Sequence, residues 1–329
     1  MLSRVAENLY WMARYIERTE DTARLIRVTR FLMLDFPGTT TLSWSSLITI
    51  TGADELFNEH YNERNAQNVL TFLCADRRYG GSIMGSLAAA RENLRTTRDV
   101  MPREVWEEIN GIYLHGSKLL SGTIDVRKMD EFLHTVIRGC QALTGMLDGT
   151  LSESPARTFC AVGGYLERVD MTSRILDVRS ANLLPRTADD LKPFEQLQWM
   201  SVLKSLTAYQ MYRQQVRTRV RGKDAIRFIL LDETFPRAIK RCLKRLNGKL
   251  ATLPRSQDAC AAVSSVQALL TRENPEELYG APDQLHQFLD ELQLGVINVH
   301  ETIRKTWFGG VDSPAPVVDM PTTQQAQDA

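Results

Sequence analysis

The sequence contains few of the residues that interrupt helices, with 19 glycines and 12 prolines among its 329 residues. It also lacks any sustained two-residue alternation of apolar and polar side chains, which would indicate half-buried strands. Apolar side chains recur instead at steps of three and four, beginning with Val5, Leu9, Met12 and Ile16. The composition and the pattern together predict an all-α fold.

Paired cysteines, net charge and long apolar runs are also missing. The five cysteines are scattered and form no Cys-x-x-Cys pair, which excludes a disulfide framework and a zinc ribbon and predicts free thiols. Forty basic and forty acidic residues cancel, so the overall charge indicates no nucleic-acid or membrane partner. The longest strictly apolar runs, of which Leu9 to Ala13 is one, have five residues and are far too short to span a bilayer, and charges near Leu9 argue against a signal peptide. We therefore expect a cytoplasmic protein without membrane association.

Lysine is scarce as well. It occurs at nine positions and nowhere in the first hundred residues, so 31 of the 40 basic residues are arginines. A guanidinium group forms planar, bidentate pairs with carboxylates and phosphates, and this bias therefore favours a helix bundle cross-linked by ordered ion pairs. A biased genomic base composition produces the same excess of arginine, so both explanations stay open at this point.

A segment near the N-terminus is repeated 150 residues later. Residues 11–28 read WMARYIERTEDTARLIRV, and residues 161–178 read AVGGYLERVDMTSRILDV. The identical pairs are Tyr15 and Tyr165, Glu17 and Glu167, Arg18 and Arg168, Thr22 and Thr172, Arg24 and Arg174, and Val28 and Val178. Weaker matches continue at offsets of 155 and 156, and a period this long does not indicate a solenoid.

The repeat predicts the domain organisation. We expect a helical bundle of two duplicated units of about 150 residues, with repeat one over 1–150 and repeat two over 151–307, packed as one body. Pro37 and Gly38 are expected to end the first helix, and the polar residues 308–329 are predicted to form a flexible tail. Further helical patterns cover residues 44–58, 65–77, 82–98, 102–115 and 125–147.

The repeated Glu-Arg pairs place arginines on helix stripes that are otherwise apolar and aromatic. Such an arginine needs acceptors, because an unpaired buried charge is very costly. One interpretation is structural, with Arg18 and Arg168 bound to carboxylates across the interface between the halves. The other is an anion site near a pseudo-two-fold axis, with Glu17 and Glu167 as candidate catalytic residues. Its candidate binding residues are Tyr15, Arg18, Thr22, Arg24, Tyr165, Arg168, Thr172 and Arg174.

Three segments together resemble a known protein family. They are LYWMARYIERTEDTARL at residues 9–25, AARENLRTTRDVMPREVWEEIN at 89–110 and GGYLERVDMTSRILDV at 163–178. Over residues 1–307 the sequence resembles the alpha-E family of bacterial all-helical proteins, which is named for its Glu-Arg motif. FILLDETFPRAI at 228–239 also resembles a family segment, although Phe235 stands where the family more often has asparagine.

The resemblance implies partners rather than a reaction. Members of the family are encoded beside, or fused to, a circularly permuted ATP-grasp protein. They also accompany a transglutaminase-like cysteine peptidase and, in some cases, a proteasome-like peptidase. This company implies a system that makes, trims or attaches peptides, but it gives no reaction for the helical component itself.

No motif predicts a metal or a cofactor. Glu131 and His134 have the Glu-x-x-His spacing of di-iron bundles, but the nearest second motif, Asp283 with His286, has the shorter carboxylate. No Gly-x-Ser-x-Gly, P-loop or His-Glu-x-x-His motif is present, and the five histidines do not cluster in sequence. We therefore expect neither a metal nor a cofactor.

Residues 213–249 form a basic segment with twelve basic and three acidic side chains. The segment predicts a basic helix face, which is either an ordinary solvated surface or a docking patch for an acidic protein or a nucleic acid. Aromatic residues are sparse there, which argues against nucleic acid, because single strands bind by stacking on aromatic rings. The residues expected on this face are Arg237, Lys240, Arg241, Lys244 and Arg245.

Two functions stay open from the sequence. The first is a non-catalytic, accessory component of a peptide-synthesis or peptide-modification system, which acts with an ATP-grasp amide ligase and binds a peptide or a partner protein. The second is an enzyme that uses Glu17 or Glu167 as a general base on a carboxylate or phosphate substrate. The absence of a recognisable nucleophile, metal or cofactor motif favours the first.

Overall fold

The structure, a computed structural model, describes residues 1–35, 44–121, 126–182 and 192–309. These residues form fifteen α-helices and no strand, which confirms the all-α prediction. Pro37, Gly38 and nearly all of the expected tail lie outside the described residues.

The helices of the first half are α1 (Ser3–Asp35), α2 (Ser45–Thr51), α3 (Asp54–His60), α4 (Ala66–Ala75), α5 (Ile83–Arg95), α6 (Arg103–Leu119) and α7 (Val126–Thr150). Those of the second half are α8 (Pro155–Asn182), α9 (Lys192–Ser205), α10 (Tyr209–Gln215), α11 (Gly222–Leu231), α12 (Ile239–Leu250), α13 (Gln257–Arg272), α14 (Pro275–Gly280) and α15 (Pro282–Ile303). A 3₁₀ turn at Arg98–Val100 precedes α6, and a π-helical turn at Arg304–Phe308 follows α15.

One helix boundary differs from the sequence prediction. The single helix expected over 44–58 is two helices, α2 and α3, separated by Gly52. Gly52 has a φ of 65°, the left-handed conformation that glycine adopts without steric cost, and its N–H caps the end of α2. Periodicity alone missed this break, because apolar residues continue on both sides of the glycine.

Helices α1 and α8 form the centre of the bundle and pack against each other. Helices α5 and α7 also pack on α1, while α12 and α15 pack on α8. The two central helices approach closely at Gly163, where an added Cβ would lie 2.2 Å from the carbonyl oxygen of Tyr10. Other helices cover α1 and α8 on several sides, so many charged side chains of these two helices are buried.

The helices of the two halves follow a similar order. A long helix, α1 or α8, begins each half, and three shorter helices follow it. Helices α4 and α11 each have ten residues, and α5 and α12 have thirteen and twelve. This order supports the predicted duplication, which stays a prediction because helix order does not fix how the helices are oriented.

No helix in the described part of the chain is long and apolar enough to cross a bilayer. The five cysteines are free, as predicted, and Cys74, Cys140, Cys160 and Cys242 are buried. Burial raises the pKa of Cys160 and Cys242 to about 12, which keeps these thiols protonated at neutral pH.

Candidate functional site

The two Glu-Arg motifs meet at the crossing of α1 and α8 and bind each other reciprocally. Arg168 donates two hydrogen bonds of 2.7 Å to Glu17, from Nε to Oε1 and from Nη2 to Oε2. Arg18 Nε donates to Glu167 Oε1 at 2.5 Å. The glutamates are 4% and 0% exposed, so these are buried ion pairs. Arg18 and Arg168 thus bind carboxylates across the crossing of α1 and α8, which is the pairing of the structural interpretation.

Each glutamate receives a second arginine, and the two second arginines come from different elements. Arg14 of α1 donates to Glu167 at 2.6 Å. The matching position on α8 is Gly164, which has no side chain to donate. Arg237, two residues before the start of α12, contacts Glu17 at 2.7 Å instead. The sequence repeat shows that Gly164 replaces Arg14, but only the packing of α12 on α8 supplies the substitute guanidinium group.

Further acids on α1 surround Arg237. Its guanidinium group contacts Asp21 at 2.6 Å and Glu20 at 3.2 Å, in addition to Glu17. Glu20 also pairs with Arg24 along α1, as their i,i+4 spacing implies. Asp170 and Arg174 form the corresponding pair on α8, at 3.0 Å.

The central glutamates are ionised. Burial raises the pKa of Glu17, but the adjacent guanidinium groups of Arg168 and Arg237 outweigh burial and lower it to about 2. Arg18 and Arg14 have the same effect on Glu167, whose pKa is also lowered to about 2. A carboxylate with so low a pKa is a weak proton acceptor at neutral pH, and this counts against Glu17 or Glu167 as a general base.

Asp21 behaves differently from the glutamates. Burial raises the pKa of Asp21 to about 7, Glu17 and Glu20 add to the increase, and Arg237 opposes it. Arg237 neutralises the charge of Asp21 only in part, because its guanidinium group also pairs with Glu17 and Glu20. The Oδ2 atom of Asp21 is buried and has no hydrogen-bond partner among the described residues. Asp21 is therefore a buried carboxyl group that titrates near neutral pH.

A cleft of about 790 Å³ lies beside this network. Glu17, Arg168 and Arg237 line it with side chains that are 4%, 15% and 7% exposed, and these three residues define its inner end. The ion network thus forms part of the cleft surface. Helices α1, α7, α8 and α12 form the walls. The ionisable lining residues are Glu17, Glu20, Asp148, Glu153, Arg157, Tyr165, Arg168, Arg237, Arg241, Arg245 and Lys249, together with the thiol of Cys160.

The basic patch predicted from the sequence divides between the interior, the cleft and the outer surface. Arg237 was expected on the exposed face, but this is wrong, because it is 6% exposed and bound to acids of α1. Arg241 and Arg245 line the cleft. Lys240 and Lys244 do not line it, and both pair with Glu233, at 2.7 and 3.4 Å.

The cleft opens where α8 carries small side chains. Cys160, Ala161 and Gly164 line it, and a Cβ added to Gly164 would meet no atom within 4 Å. The matching positions on α1, at an offset of 150, hold Tyr10, Trp11 and Arg14. Tyr10 and Trp11 pack with His300 of α15, since the Tyr10 hydroxyl lies 2.8 Å from its Nδ1 and the Trp11 ring lies 5.3 Å from its ring. Arg14 binds Glu167. At these matched positions, large side chains fill the space beside α1, whereas small residues leave the space beside α8 open as part of the cleft.

The other candidate binding residues lie mainly inside the protein. Tyr15, Thr22 and Thr172 are buried, and Thr172 donates to the backbone oxygen of Arg237 at 3.4 Å. Tyr165 is half-buried and lines the cleft. Of the eight candidates, Tyr165 and Arg168 are the two that the cleft exposes to a ligand.

A separate cluster of possible metal ligands lies between α8 and α15. Atoms of Asp177, His286 and Asp290 come within 4.8 Å of one another. His286 Nδ1 lies 2.7 Å from Asp177, and its Nε2 lies 3.5 Å from Asp290. Burial lowers the pKa of His286, but these carboxylates outweigh burial and raise it. An imidazolium held between two carboxylates accounts for this geometry without a cation.

The di-iron spacing at Glu131 does not build a comparable cluster. Glu131 lies 3.7 Å from His115 of α6, and both side chains are well exposed. Among the described residues, neither Glu131 nor His134 belongs to a group of three possible ligands.

Sequence reasoning missed Arg14, Asp21 and the inward position of Arg237. Arg14 and Asp21 are absent from the second copy of the motif, so a search for repeated residues passes over them. A signal was available for Arg14, since an arginine within an apolar and aromatic segment needs a buried partner. No local signal existed for Arg237, which meets Asp21 216 residues away in the chain.

The comparisons with known proteins agree with the helical fold and the Glu-Arg motif. The alpha-E family, a predicted alpha-helical domain with a conserved ER motif, matches residues 1–308. Uncharacterized proteins of Mycobacterium bovis and Mycobacterium tuberculosis are 23% identical over 323 residues, which is 92% of this chain and 36% of each relative. The chain thus spans about a third of the length of these relatives. No solved structure matches it. The chain belongs to the alpha-E family.

Proposed function

We propose that this protein is a non-catalytic, cytoplasmic component of a peptide-synthesis or peptide-modification system. It acts with a circularly permuted ATP-grasp amide ligase, in a system that also includes a transglutaminase-like peptidase. Its cleft binds a peptide or a segment of the partner protein. The partners in this proposal come from the resemblance to the family, and the binding role comes from the geometry of the cleft.

The observation that carries the binding role is the surplus of available cations in the cleft. Arg241 donates to the backbone oxygen of Glu233 at 2.8 Å, and among the described residues neither Arg241 nor Arg245 has a carboxylate partner. Arg245 is exposed. Guanidinium groups without acids in an open cleft of about 790 Å³ are suited to anionic ligands.

The enzyme alternative has weaker support. A general base must hold a free lone pair close to the proton that it removes. Glu17 and Glu167 each form ion pairs with two arginines, and the pKa of each is lowered to about 2. These features favour a structural role for the glutamates and leave binding as the function of the cleft.

The mycobacterial relatives provide a second line of support. The match covers 36% of each relative, so in those proteins the alpha-E region is joined to further polypeptide. A region that occurs within a longer chain is suited to work beside other domains. This arrangement supports a component role over that of a self-sufficient enzyme.

Co-purification tests the partnership. The tagged protein and the ATP-grasp protein of the same genome are co-expressed, and the recovered complex is assayed for ATP-dependent peptide ligation. We expect R241E/R245E to weaken recovery and added salt to weaken it in the parent, because exposed charge pairs are screened over about 8 Å at physiological ionic strength. R217E/R227E is the matched control, because both arginines are exposed, lie outside the cleft and make the same charge change.

Failure to recover the ATP-grasp protein with the parent chain would overturn the partnership. Equal recovery by R241E/R245E and by R217E/R227E would remove the cleft as its docking site. Ligation activity that persists when the ATP-grasp protein is left out, and that is lost in E17Q, would favour the enzyme alternative.

A further inference from the structure

The cations of α12 form a ladder along one wall of the cleft. Arg241, Arg245 and Lys249 are spaced at i,i+4 on this helix, and all three line the cleft. An α-helix rises about 1.5 Å per residue, so successive members of the ladder are about 6 Å apart along the axis. Arg237, one step before Arg241, lies at the inner end next to Arg168.

The outer members of the ladder are available for a ligand. Arg241 and Arg245 have no carboxylate partner among the described residues. Lys249 pairs with Glu153 at 3.2 Å, but the Glu153 side chain is 69% exposed, and such surface pairs add little stability. An anionic ligand therefore gains these cations without breaking a buried ion pair.

The spacing of the ladder matches an extended peptide. A β-strand rises about 3.3 Å per residue and alternates its side chains, so every second side chain lies on one face, about 6.6 Å apart. We propose that the cleft binds an acidic peptide segment in an extended conformation, with carboxylates at alternate positions paired to Arg241, Arg245 and Lys249. This inference rests on the cleft being a binding site, as proposed above, and it does not depend on the ATP-grasp partnership.

The rest of the lining favours a peptide over a nucleic acid. Glu20, Asp148 and Glu153 lie in the same cleft, and an extended peptide with carboxylates at alternate positions turns an uncharged face to them, whereas a nucleic acid carries a negative charge at every nucleotide. The aromatic lining consists of Tyr165 and Phe235, and Phe235 is 5% exposed, which leaves little surface for stacked bases. Gln141, which is exposed on α7, offers an amide group that both donates to and accepts from a peptide backbone.

Two isomeric peptides test the spacing. One fluorescein-labelled octapeptide alternates serine and glutamate, and the other has four glutamates followed by four serines, so composition and charge are equal. We expect fluorescence anisotropy to give a dissociation constant about tenfold lower for the alternating peptide, which corresponds to about 1.4 kcal/mol. R241Q/R245Q should remove this preference. R217Q/R227Q, which makes the same charge change outside the cleft, should keep it.

Equal binding of the two isomers would overturn the extended alignment, because bulk charge attraction does not distinguish them. Tighter binding of an oligothymidylate of eight nucleotides would overturn the choice of a peptide, and failure of both peptides to bind would overturn the inference altogether. The partnership is judged separately. Peptide binding without recovery of the ATP-grasp protein would support this inference and overturn the partnership. Recovery of the ATP-grasp protein without peptide binding would overturn this inference and leave the partnership standing.

Discussion

Glu17 and Arg168 are joined by two hydrogen bonds of 2.7 Å across the crossing of α1 and α8. The Arg168 side chain is 15% exposed and that of Glu17 is 4% exposed, so the pair joins the core of the bundle to the inner end of the cleft. Because Arg168 binds both oxygens of Glu17, the pair holds the two central helices in one register. The same residues thus contribute both to the fold and to the surface that a ligand meets.

R168K tests this bidentate link. Lysine keeps the charge but loses the planar fork, so we expect the free energy of unfolding to fall by about 1–3 kcal/mol. Urea denaturation measures this loss, and R103K is the control because the Arg103 side chain is 87% exposed. Unchanged stability together with weaker peptide binding would instead assign Arg168 to the ligand.

R237M tests the acidic group around Arg237. Removing this guanidinium leaves Glu20 and Asp21 without their shared partner, and breaking a buried pair costs about 3–5 kcal/mol. Adding D21N to R237M should restore part of the loss, since an amide does not have to be protonated, or buried as a charge, when the chain folds without Arg237. Calorimetry of the four members of this double-mutant cycle gives the coupling. Additive effects of the two substitutions would show that they do not interact.

D21N should change the pH dependence of the free energy of unfolding. The pKa of Asp21 is raised to about 7, so the folded protein holds this proton while the unfolded chain, with a pKa near 3.8, releases it. The parent therefore loses stability as the pH rises from about 4 to 7, and D21N should show a flatter profile over that range. Urea denaturation at several pH values measures the slope, with the exposed D258N as control. A slope equal to that of the parent would contradict the raised pKa.

Acid should destabilise the protein through its central glutamates. The pKa values of Glu17 and Glu167 are lowered from 4.5 to about 2, so their ionisation favours the folded state above about pH 4.5. This contribution is lost as the pH falls from about 4.5 to 2. We expect E17Q to be less stable than the parent at pH 7 and the difference to shrink towards pH 2. A difference that stays constant with pH would contradict this prediction.

G164W tests the opening of the cleft. The Cβ at this position meets no atom within 4 Å, so a large uncharged side chain is expected to enter the cleft without disturbing the backbone. Replacing a helical glycine removes its helix-propensity penalty, so thermal stability should not fall. Binding of the alternating peptide should weaken by more than about tenfold, because the indole occupies the cleft and leaves its charge unchanged. G145W is the control, since Gly145 is also open on α7 and does not line the cleft. Equal peptide binding by both variants would contradict the assignment of the cleft.

The sequence by itself determined the local features of this protein. Apolar spacing and the shortage of glycine and proline predicted the helices, because helix formation depends on residues three and four positions apart. The pairs Glu20–Arg24 and Asp170–Arg174 follow from the same spacing. The need of a buried arginine for an acceptor also predicted that Arg18 and Arg168 bind acceptors, but it left open whether these are carboxylates of the protein or an anionic ligand.

Only the tertiary structure decided which partners meet and where the cleft lies. Arg237 reads from the sequence as part of a basic surface, yet the packing of α12 against α8 turns it inward to Glu17 and Asp21. Gly164 leaves space where α1 has an arginine, and this space is part of a cleft only because residues of α7 and α12 line it as well. Contacts between residues more than 200 positions apart leave no periodic trace in a single sequence, since they depend on the relative placement of whole helices.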